Sequence, residues 1–346
     1  MRIGIVHFRL LHNGGLERRL FNYIRVFRAM GHQVEVVVSK VDPSIELPSD
    51  LRLHRIDLSA LPKPVRMYFF DKKAAQVIKK ERFDVSLSLG RTGDNDLLIC
   101  PGTHKGYLRA MGTVVSSPID LMNIWLDKRA YRTSRVILAA SEMMRQEVVG
   151  LHDIDPEKVK VLLPPIDVAR FHTVSDEERS ALREKYLPGF KGRIAVFVSN
   201  GSSQKGFDFL KEVFADMGPN VMLMIAGSGN RSGLGSNILH LGYSSRTEEL
   251  FRAADVMVHP ARYESFAQVV AESLLCGTPA LVSDMVGAKC IIGPGMGAVL
   301  PVGDLDAWRR AIMQWSSAAT RVSVPDPLRQ QLSTEDHCLQ MLRLAS

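Results

Sequence analysis

Two carboxylates eight positions apart, Glu264 and Glu272, frame the run Tyr263-Glu264-Ser265-Phe266-Ala267-Gln268-Val269-Val270-Ala271-Glu272. The apolar segment Asp255-Val256-Met257-Val258-His259-Pro260 precedes it, and Leu274-Leu275-Cys276-Gly277-Thr278-Pro279-Ala280-Leu281-Val282 follows, so the order reads strand, loop, helix, turn, strand. In a parallel sheet the loop after a strand opens at the carboxyl edge, where ligands bind. Glu264 is expected in that loop, ahead of a helix whose first free amides belong to Ser265, Phe266 and Ala267, with Glu272 two turns further down the same face. Amides at a helix start attract phosphate, and a carboxylate beside them suits the hydroxyls of a sugar. By spacing alone, two glutamates on a helix are more often a solvated face; the surrounding residues give the pair its chemical meaning.

Lys205 lies in a small polar loop, Gly201-Ser202-Ser203-Gln204-Lys205-Gly206, between the apolar strand Ile194–Val198 and a helix that starts at Gly206. A point positive charge beside helix-start amides suits a diphosphate leaving group, whose negative charge grows as the sugar departs; the bland reading is a solvated lysine. Gly14-Gly15 lacks the third glycine and the downstream acid of a dinucleotide fingerprint, which disfavours a dehydrogenase. Gly15 would let the backbone approach a ligand that a Cβ would exclude, or form a plain tight turn. Gly227-Ser228-Gly229 and Gly242-Tyr243-Ser244-Ser245-Arg246 end apolar strands and could be ligand-edging loops or simple turns. His104 stands just beyond the strand Leu97–Cys100, while His12, His32 and His259 read as structural. No Asp-x-Asp pair or His/Asp cluster suited to a metal is evident, so chemistry without a metal or bound cofactor is expected.

The elements that must position these groups alternate along the chain. Ile3–Val6 reads as a strand, His12-Asn13-Gly14-Gly15-Leu16 turns into a helix with Leu16, Leu20, Tyr23, Ile24 and Phe27 at helical spacing, and Val34–Val38 is the next strand. A helix at Ala74–Lys80, strands near Val85–Leu89, Leu97–Cys100 and Arg135–Ala140, and a helix from Ser141-Glu142 continue the pattern. Strands resume at Ile194–Val198, Val221–Gly227, Ile238–Leu241, Val256–Val258, Ala280–Val282 and Ala298–Leu300. The expected fold class is α/β, with two doubly wound parallel-sheet (Rossmann-like) domains facing across a cleft at their carboxyl edges. The boundaries are 1–165 for an acceptor-binding domain, 166–192 for a Pro- and Gly-bearing linker region, 193–333 for a donor-binding domain, and 334–346 for a C-terminal helix that packs back towards the first domain.

A chain of 346 residues is too long for one ordinary core, which agrees with two domains. Cys100, Cys276, Cys290 and Cys338 are scattered singly, with neither zinc-site spacing nor disulfide density. The net charge of +7 belongs to the first half: residues 1–165 hold 26 Lys and Arg against 18 Asp and Glu, the remainder 18 against 19. Such a half can attract an anionic membrane or a phosphorylated acceptor; nucleic acid is disfavoured because no recognisable module is present. From Lys105 to Arg135, the basic Lys105, Arg109, Lys128, Arg129, Arg132 and Arg135 interleave with apolar and aromatic residues, as in a surface resting on anionic lipid with Trp125 and Tyr131 at the interface. No stretch of about 18 apolar residues exists and the start reads as a strand, so a cytoplasmic chain, peripheral on the inner face of the cytoplasmic membrane, is expected.

The Asp255–Val282 segment resembles the donor-binding signature of glycosyltransferase family 4: Glu, seven residues, Glu, then a small-Gly-Thr-Pro-apolar turn. Ala267 stands where the family usually has Gly. The glycine loop Gly14-Gly15-Leu16-Glu17-Arg18 and the Lys205 loop are similar to further family motifs, and the likeness covers nearly the whole chain. Gly14-Gly15-Leu16, Leu163-Pro164-Pro165-Ile166 and His259-Pro260 look most like the bacterial lipopolysaccharide core glucosyltransferases. The resemblance implies the GT-B fold and a retaining transfer of a hexose from a nucleoside-diphosphate sugar, a UDP-sugar, to a lipid-linked, phosphorylated saccharide of lipopolysaccharide core or a related surface glycan. It implies that Glu272 holds the ribose, Glu264 the sugar hydroxyls, Lys205 and Gly14-Gly15 the diphosphate, and that His104 contacts the sugar or orients the acceptor. Ser202, Gly227, Gly229, Tyr243, Ser265, Phe266 and Ala267 would complete the donor site. Where many family members carry Arg after the strand, Ser199-Asn200 stand, and Arg246 or Arg262 is expected to compensate. The competing readings are a nucleotide-sugar epimerase and a non-catalytic nucleotide-sugar or membrane-binding protein of the same fold.

Overall fold

The computed structural model describes residues 1–11, 15–199, 203–228, 234–316 and 321–346. The chain divides into two compact units, Met1–Pro165 with Thr334–Ser346, and Ile166–Ser333.

The first unit carries β1 (Arg2–Val6), β2 (Arg9–Leu10), β3 (Gln33–Val38), β4 (Lys40–Val41), β5 (Arg52–Arg55), β6 (Val85–Ser88), β7 (Leu97–Cys100), β8 (Val136–Ala139) and β9 (Val159–Val161). Seven of these form a parallel sheet in the order β5-β3-β1-β6-β7-β8-β9, while β2 and β4 make a separate parallel pair. The inner strands are apolar because both faces of such a sheet are covered: Ile3, Ile5, Val36, Leu87, Leu97 and Leu138 are all buried. Helices α1 (Gly15–Ala29), α2 (Arg66–Glu81), α3 (His104–Ala110), α4 (Pro118–Thr133) and α5 (Glu142–His152) connect them. The α1 stripe Leu20, Tyr23, Ile24 and Phe27 is core, as its spacing predicts. Helix α2 starts earlier than the expected Ala74, its first turns following Lys63–Val65. Ser117 and Asp120 form a capping box and Pro118 occupies the first turn, which fixes where α4 begins.

In the second unit, β10 (Arg193–Val198), β11 (Val221–Ala226), β12 (Ile238–Gly242), β13 (Val256–His259), β14 (Ala280–Ser283) and β15 (Gly297–Leu300) form a parallel sheet in the order β12-β11-β10-β13-β14-β15. Its helices are α6 (Asp176–Tyr186), α7 (Phe207–Ala215), α8 (Thr247–Ala253), α9 (Gln268–Leu275), α10 (Leu305–Trp315) and α11 (Asp326–Gln331). The stretch 166–192, expected as a linker region, lies within this unit. Helix α6 is tied to the sheet by Asp255, whose Oδ1 accepts from Arg183 Nη1 at 2.9 Å and also from Arg179, while Oδ2 accepts from Ile194 N at 2.7 Å. These bonds between residues distant in sequence are invisible to composition, which reads only the local Pro and Gly.

The last helix, α12 (Thr334–Ala345), belongs to the first unit. Cys338 and Met341 join the core beside Tyr23 and Phe27. His337 Nε2 lies 2.7 Å from Tyr23 Oη and its Nδ1 2.8 Å from Leu163 O, with the ring stacked on Tyr23. No helix among the described residues is long and apolar enough to cross a membrane.

Candidate active site

Strand β10 is the point at which the second sheet changes its direction of growth. After it the chain adds β11 and β12 on one side, then returns to place β13, β14 and β15 on the other. The crevice outside the carboxyl ends of β10 and β13 is therefore the topological switch point, the usual ligand position of such a sheet. Lys205 follows β10 and Glu264 follows β13.

The two loops are pressed together. Arg262 N donates to Gln204 O at 2.8 Å. Gly206 has φ of +83°, and a Cβ on it would stand 2.3 Å from the Pro260 carbonyl oxygen; a residue without a side chain is required on both counts. This approach brings Lys205 Nζ into an ion pair with Glu264 Oε2, each side chain 16% exposed. Burial lowers the Lys205 ammonium to about 8, while the adjoining carboxylate acts in the opposite sense. The Glu264 backbone is pinned, its N–H donating to Met285 O at 3.1 Å and its carbonyl accepting from Gly287 N at 2.9 Å.

His259, the last residue of β13, is the group here that sequence reasoning set aside as structural. It is 2% exposed and its Nε2 lies 3.9 Å from Glu264 Oε2. Burial first, and the Lys205 charge second, push the imidazole down to about 3. The ring is neutral at ordinary pH. Its position at a strand's carboxyl end beside the switch point is the signal that could have singled it out.

The helix after Glu264 starts later than expected. Its cap is Ala267, in the left-handed region at φ 75° and ψ 81°, and α9 begins at Gln268. The helix-start amides are thus displaced from Ser265, Phe266 and Ala267. Phe266 is buried at 2% exposure and its carbonyl accepts from Ala288 N at 2.8 Å, so its side chain serves packing. Ser265 is half-buried in the loop, and Glu272 is half-buried on the second turn of α9.

Gly227, just past β11, has φ of +132° and a Cβ there would meet Ser199 O at 1.5 Å, so it closes the ends of β10 and β11. Tyr243, after β12, is 77% exposed, free to offer a ring face to a base. Of the two candidate arginines, Arg246 gives its Nη1 to Glu249 Oε1 at 2.8 Å in an exposed pair with its own helix. Arg262 is exposed on the loop that touches Gln204. Gly14, Ser202 and Gly229 lie outside the described residues.

His104 and Gly15 belong to the first unit. Gly15 opens α1, and His104 opens α3 after its cap Thr103. The His104 ring is engaged: its Nε2 lies 2.8 Å from Asp120 Oδ1, and its backbone N–H donates to Asp127 Oδ2 at 2.8 Å. Asp120 is held down to about 2, chiefly by the Ser117 hydroxyl and then by His104. Asp127 is buried, pairs with Arg91 Nε at 2.6 Å, and is raised by burial. These partners come from another helix, beyond the reach of local pattern reading.

The surface expected between Lys105 and Arg135 is only partly free. Tyr131 is core, its Oη 3.3 Å from Cys100 Sγ, rather than an interfacial ring. Arg129 is held by Asp71 at 3.1 Å and by Asp94. The exposed apolar residues are Val114, Val115, Ile119, Leu121 and Trp125, with Phe69 on α2. Tyr68 packs on Trp125 at 5.4 Å and Lys72 lies over the Trp125 ring at 5.6 Å.

One group of potential metal ligands, Glu35, His54 and Glu81, occurs among the described residues. Glu35 Oε1 already accepts from Arg2 Nη2 at 2.7 Å and its Oε2 lies 2.7 Å from His54 Nε2, at the amino end of the first sheet. A cation would compete with these charges.

Comparison with known proteins covers both units. A family model described as Glycosyl transferases group 1 matches residues 178–333, and one described as Glycosyltransferase Family 4 matches residues 13–170. A probable transglycosylase of Burkholderia thailandensis is 30% identical, with 100% of this chain and 97% of that protein covered. The solved structure of WaaG, a glycosyltransferase involved in lipopolysaccharide biosynthesis, is similar with a TM-score of 0.75 at 16% identity over 99% of this chain and 95% of that one. Anabaena HepE in complex with UDP and glucose is similar with a TM-score of 0.74 at 16% identity, covering 99% and 98%.

Proposed function

Because this chain belongs to the group 1 and family 4 glycosyltransferases and has their two-domain GT-B architecture, we propose that it is a retaining hexosyltransferase using a UDP-sugar. The observation that carries this reading is the Lys205–Glu264 pair at the switch point of the second sheet. Glu264 accepts hydrogen bonds from the sugar's hydroxyls and Glu272 from the ribose, since a carboxylate is an acceptor only. Lys205 and Arg262 face the diphosphate. As the bond between the anomeric carbon and the phosphate oxygen breaks, negative charge gathers on the diphosphate, where a fixed ammonium stabilises it most. The acceptor hydroxyl bonds to the anomeric carbon on the same face, and its proton passes to a diphosphate oxygen. The products are the glycoside and UDP, with the anomeric configuration retained. No carboxylate is assigned as a covalent nucleophile, and the reaction is proposed to need neither metal nor cofactor.

The acceptor is assigned to the first unit, with His104 oriented by Asp120, and is proposed to be a lipid-linked, phosphorylated saccharide of lipopolysaccharide core or a related glycan. The apolar patch from Val114 to Trp125, on the loop before α4 and on α4 itself, supports this, with exposed basic residues Arg109 on α3 and Lys128 and Arg132 on α4. Such a mixture suits the inner face of an anionic cytoplasmic membrane. HepE holds UDP and glucose, which supports the choice of nucleotide. Incubation with radiolabelled UDP-glucose, UDP-galactose and other nucleotide sugars, with and without a lipid-linked acceptor, tests the reading. Label in the lipid fraction supports transfer, epimerised nucleotide sugar would indicate the epimerase, and binding without turnover would indicate a non-catalytic protein.

A further inference from the structure

The Lys205–Glu264 pair poses a difficulty for any donor that enters there. Lys205 cannot both neutralise Glu264 and meet a diphosphate. Once the ammonium turns to phosphate, a carboxylate only 16% exposed loses the cation beside it, and an uncompensated buried charge is costly. Sugar hydroxyls supply donors on the ligand side. On the protein side, the neighbouring group is the His259 ring.

Three observations on that ring belong together. Both of its nitrogens are buried and find no hydrogen-bond partner among the described residues, although buried polar groups in folded proteins are nearly always satisfied. Its Nε2 stands 3.9 Å from Glu264 Oε2, about 1 Å beyond a hydrogen bond. Its place is fixed at the end of β13, with the ring beside Phe197 at 6.1 Å between centroids, and the Glu264 backbone is fixed by Met285 and Gly287. Neither backbone needs to move for a small turn of the Glu264 side chain to close the gap.

We propose that His259 is a positioning residue for the donor: its Nε2–H takes over the Glu264 carboxylate when Lys205 is drawn to the diphosphate, and holds it in the orientation that meets the sugar. The inference rests on the donor reading given above. A neutral donor suits the task, because it satisfies the carboxylate without adding a second cation that would compete with Lys205. Among the described residues the ring is unpaired while Lys205 occupies the carboxylate; with a donor in place, Nε2, the carboxylate and Lys205 each have a partner. The exchange also ties the two ends of the donor together, since an anionic diphosphate is what frees Glu264 for the sugar.

The test compares the parent with His259→Phe, which keeps an aromatic ring and removes the N–H, and His259→Gln, which restores a side-chain N–H. Calorimetry measures UDP and UDP-glucose binding, and steady-state transfer gives kcat and KM. The expected result is UDP affinity within about twofold of the parent for both variants, kcat lowered on the order of tenfold or more in the Phe variant, and recovery of most of that loss in the Gln variant. A Phe variant with the parent's kcat and KM overturns the proposal. So does an equal loss in Phe and Gln variants accompanied by weaker UDP binding, which is the signature of packing. A parent that binds neither UDP nor UDP-glucose overturns the donor reading itself, and the proposal falls with it; a parent that binds both isolates the role of His259.

Discussion

At the scale of single residues, the proposed donor site stands on a few charged side chains whose removal is expected to have separable effects. Glu272→Ala is expected to weaken donor binding by about 1.5 to 3 kcal/mol through lost charge-assisted hydrogen bonds to the ribose. Free UDP shares the ribose and should weaken as well. Calorimetry that finds the UDP affinity unchanged in a folded variant removes Glu272 from the site. Lys205→Ala should act differently, lowering turnover by roughly 100-fold or more while changing donor binding less, because diphosphate charge is greatest in the transition state. Turnover reduced less than about threefold would make Arg246 or Arg262 the better candidate. The sequence motifs single out Glu264 and Lys205 as candidates, yet not their pairing, which depends on Gly206 lying against Pro260. For His259 the place at the carboxyl end of β13 is visible in the sequence, whereas the carboxylate 3.9 Å away is not.

Among the elements, α9 shows how a boundary departs from its expected place. Ala267 pays the left-handed penalty at φ 75° that a glycine would avoid. Ala267→Gly is expected to stabilise the second unit by about 0.5 to 1 kcal/mol, the relieved strain being partly offset by the extra freedom of the unfolded chain. Urea melts of the two proteins give the measurement, and a less stable glycine variant would contradict the strain. Helix α4 carries a second expectation: reversible docking on anionic vesicles. Leu121→Asp combined with Trp125→Ser should weaken flotation without changing UDP affinity, and high salt should weaken flotation of the parent, because attraction between charges is screened. Equal flotation of variant and parent returns α4 to an ordinary surface helix. Strand positions were largely legible because the buried parallel strands are apolar on both faces. Edge strand β5, with its Arg52 and Arg55 exposed, offered no such pattern, and α4 hid among charges that the fold pairs with Asp71 and Asp94.

For the molecule as a whole, buried imidazoles tie stability to pH. Burial pushes His337 and His259 down to about 3 and His152 to about 4. A depressed folded-state value means that the folded protein resists protonation while the unfolded chain accepts it, so stability is full above about 6.5 and declines as pH falls towards the folded values. Urea midpoints at pH 7, 5.5 and 4 should therefore decrease in that order, and His337→Gln should flatten the decline in the first unit; a midpoint constant from pH 7 to 4 would contradict these neutral, buried rings. The doubly wound plan of both units followed from the alternation of strands and helices, whereas the tie of 166–192 to the second sheet rests on Asp255 and its arginines. Helix α12 is made only after residues 166–333, so for roughly 10 to 30 s at ordinary translation rates of about 5–20 residues per second the nascent first unit shows Tyr23 and its neighbours without the strip that covers them. The second unit is itself incomplete over that interval, so the first waits with an open seam that a holding chaperone is suited to shield until Cys338 and Met341 arrive.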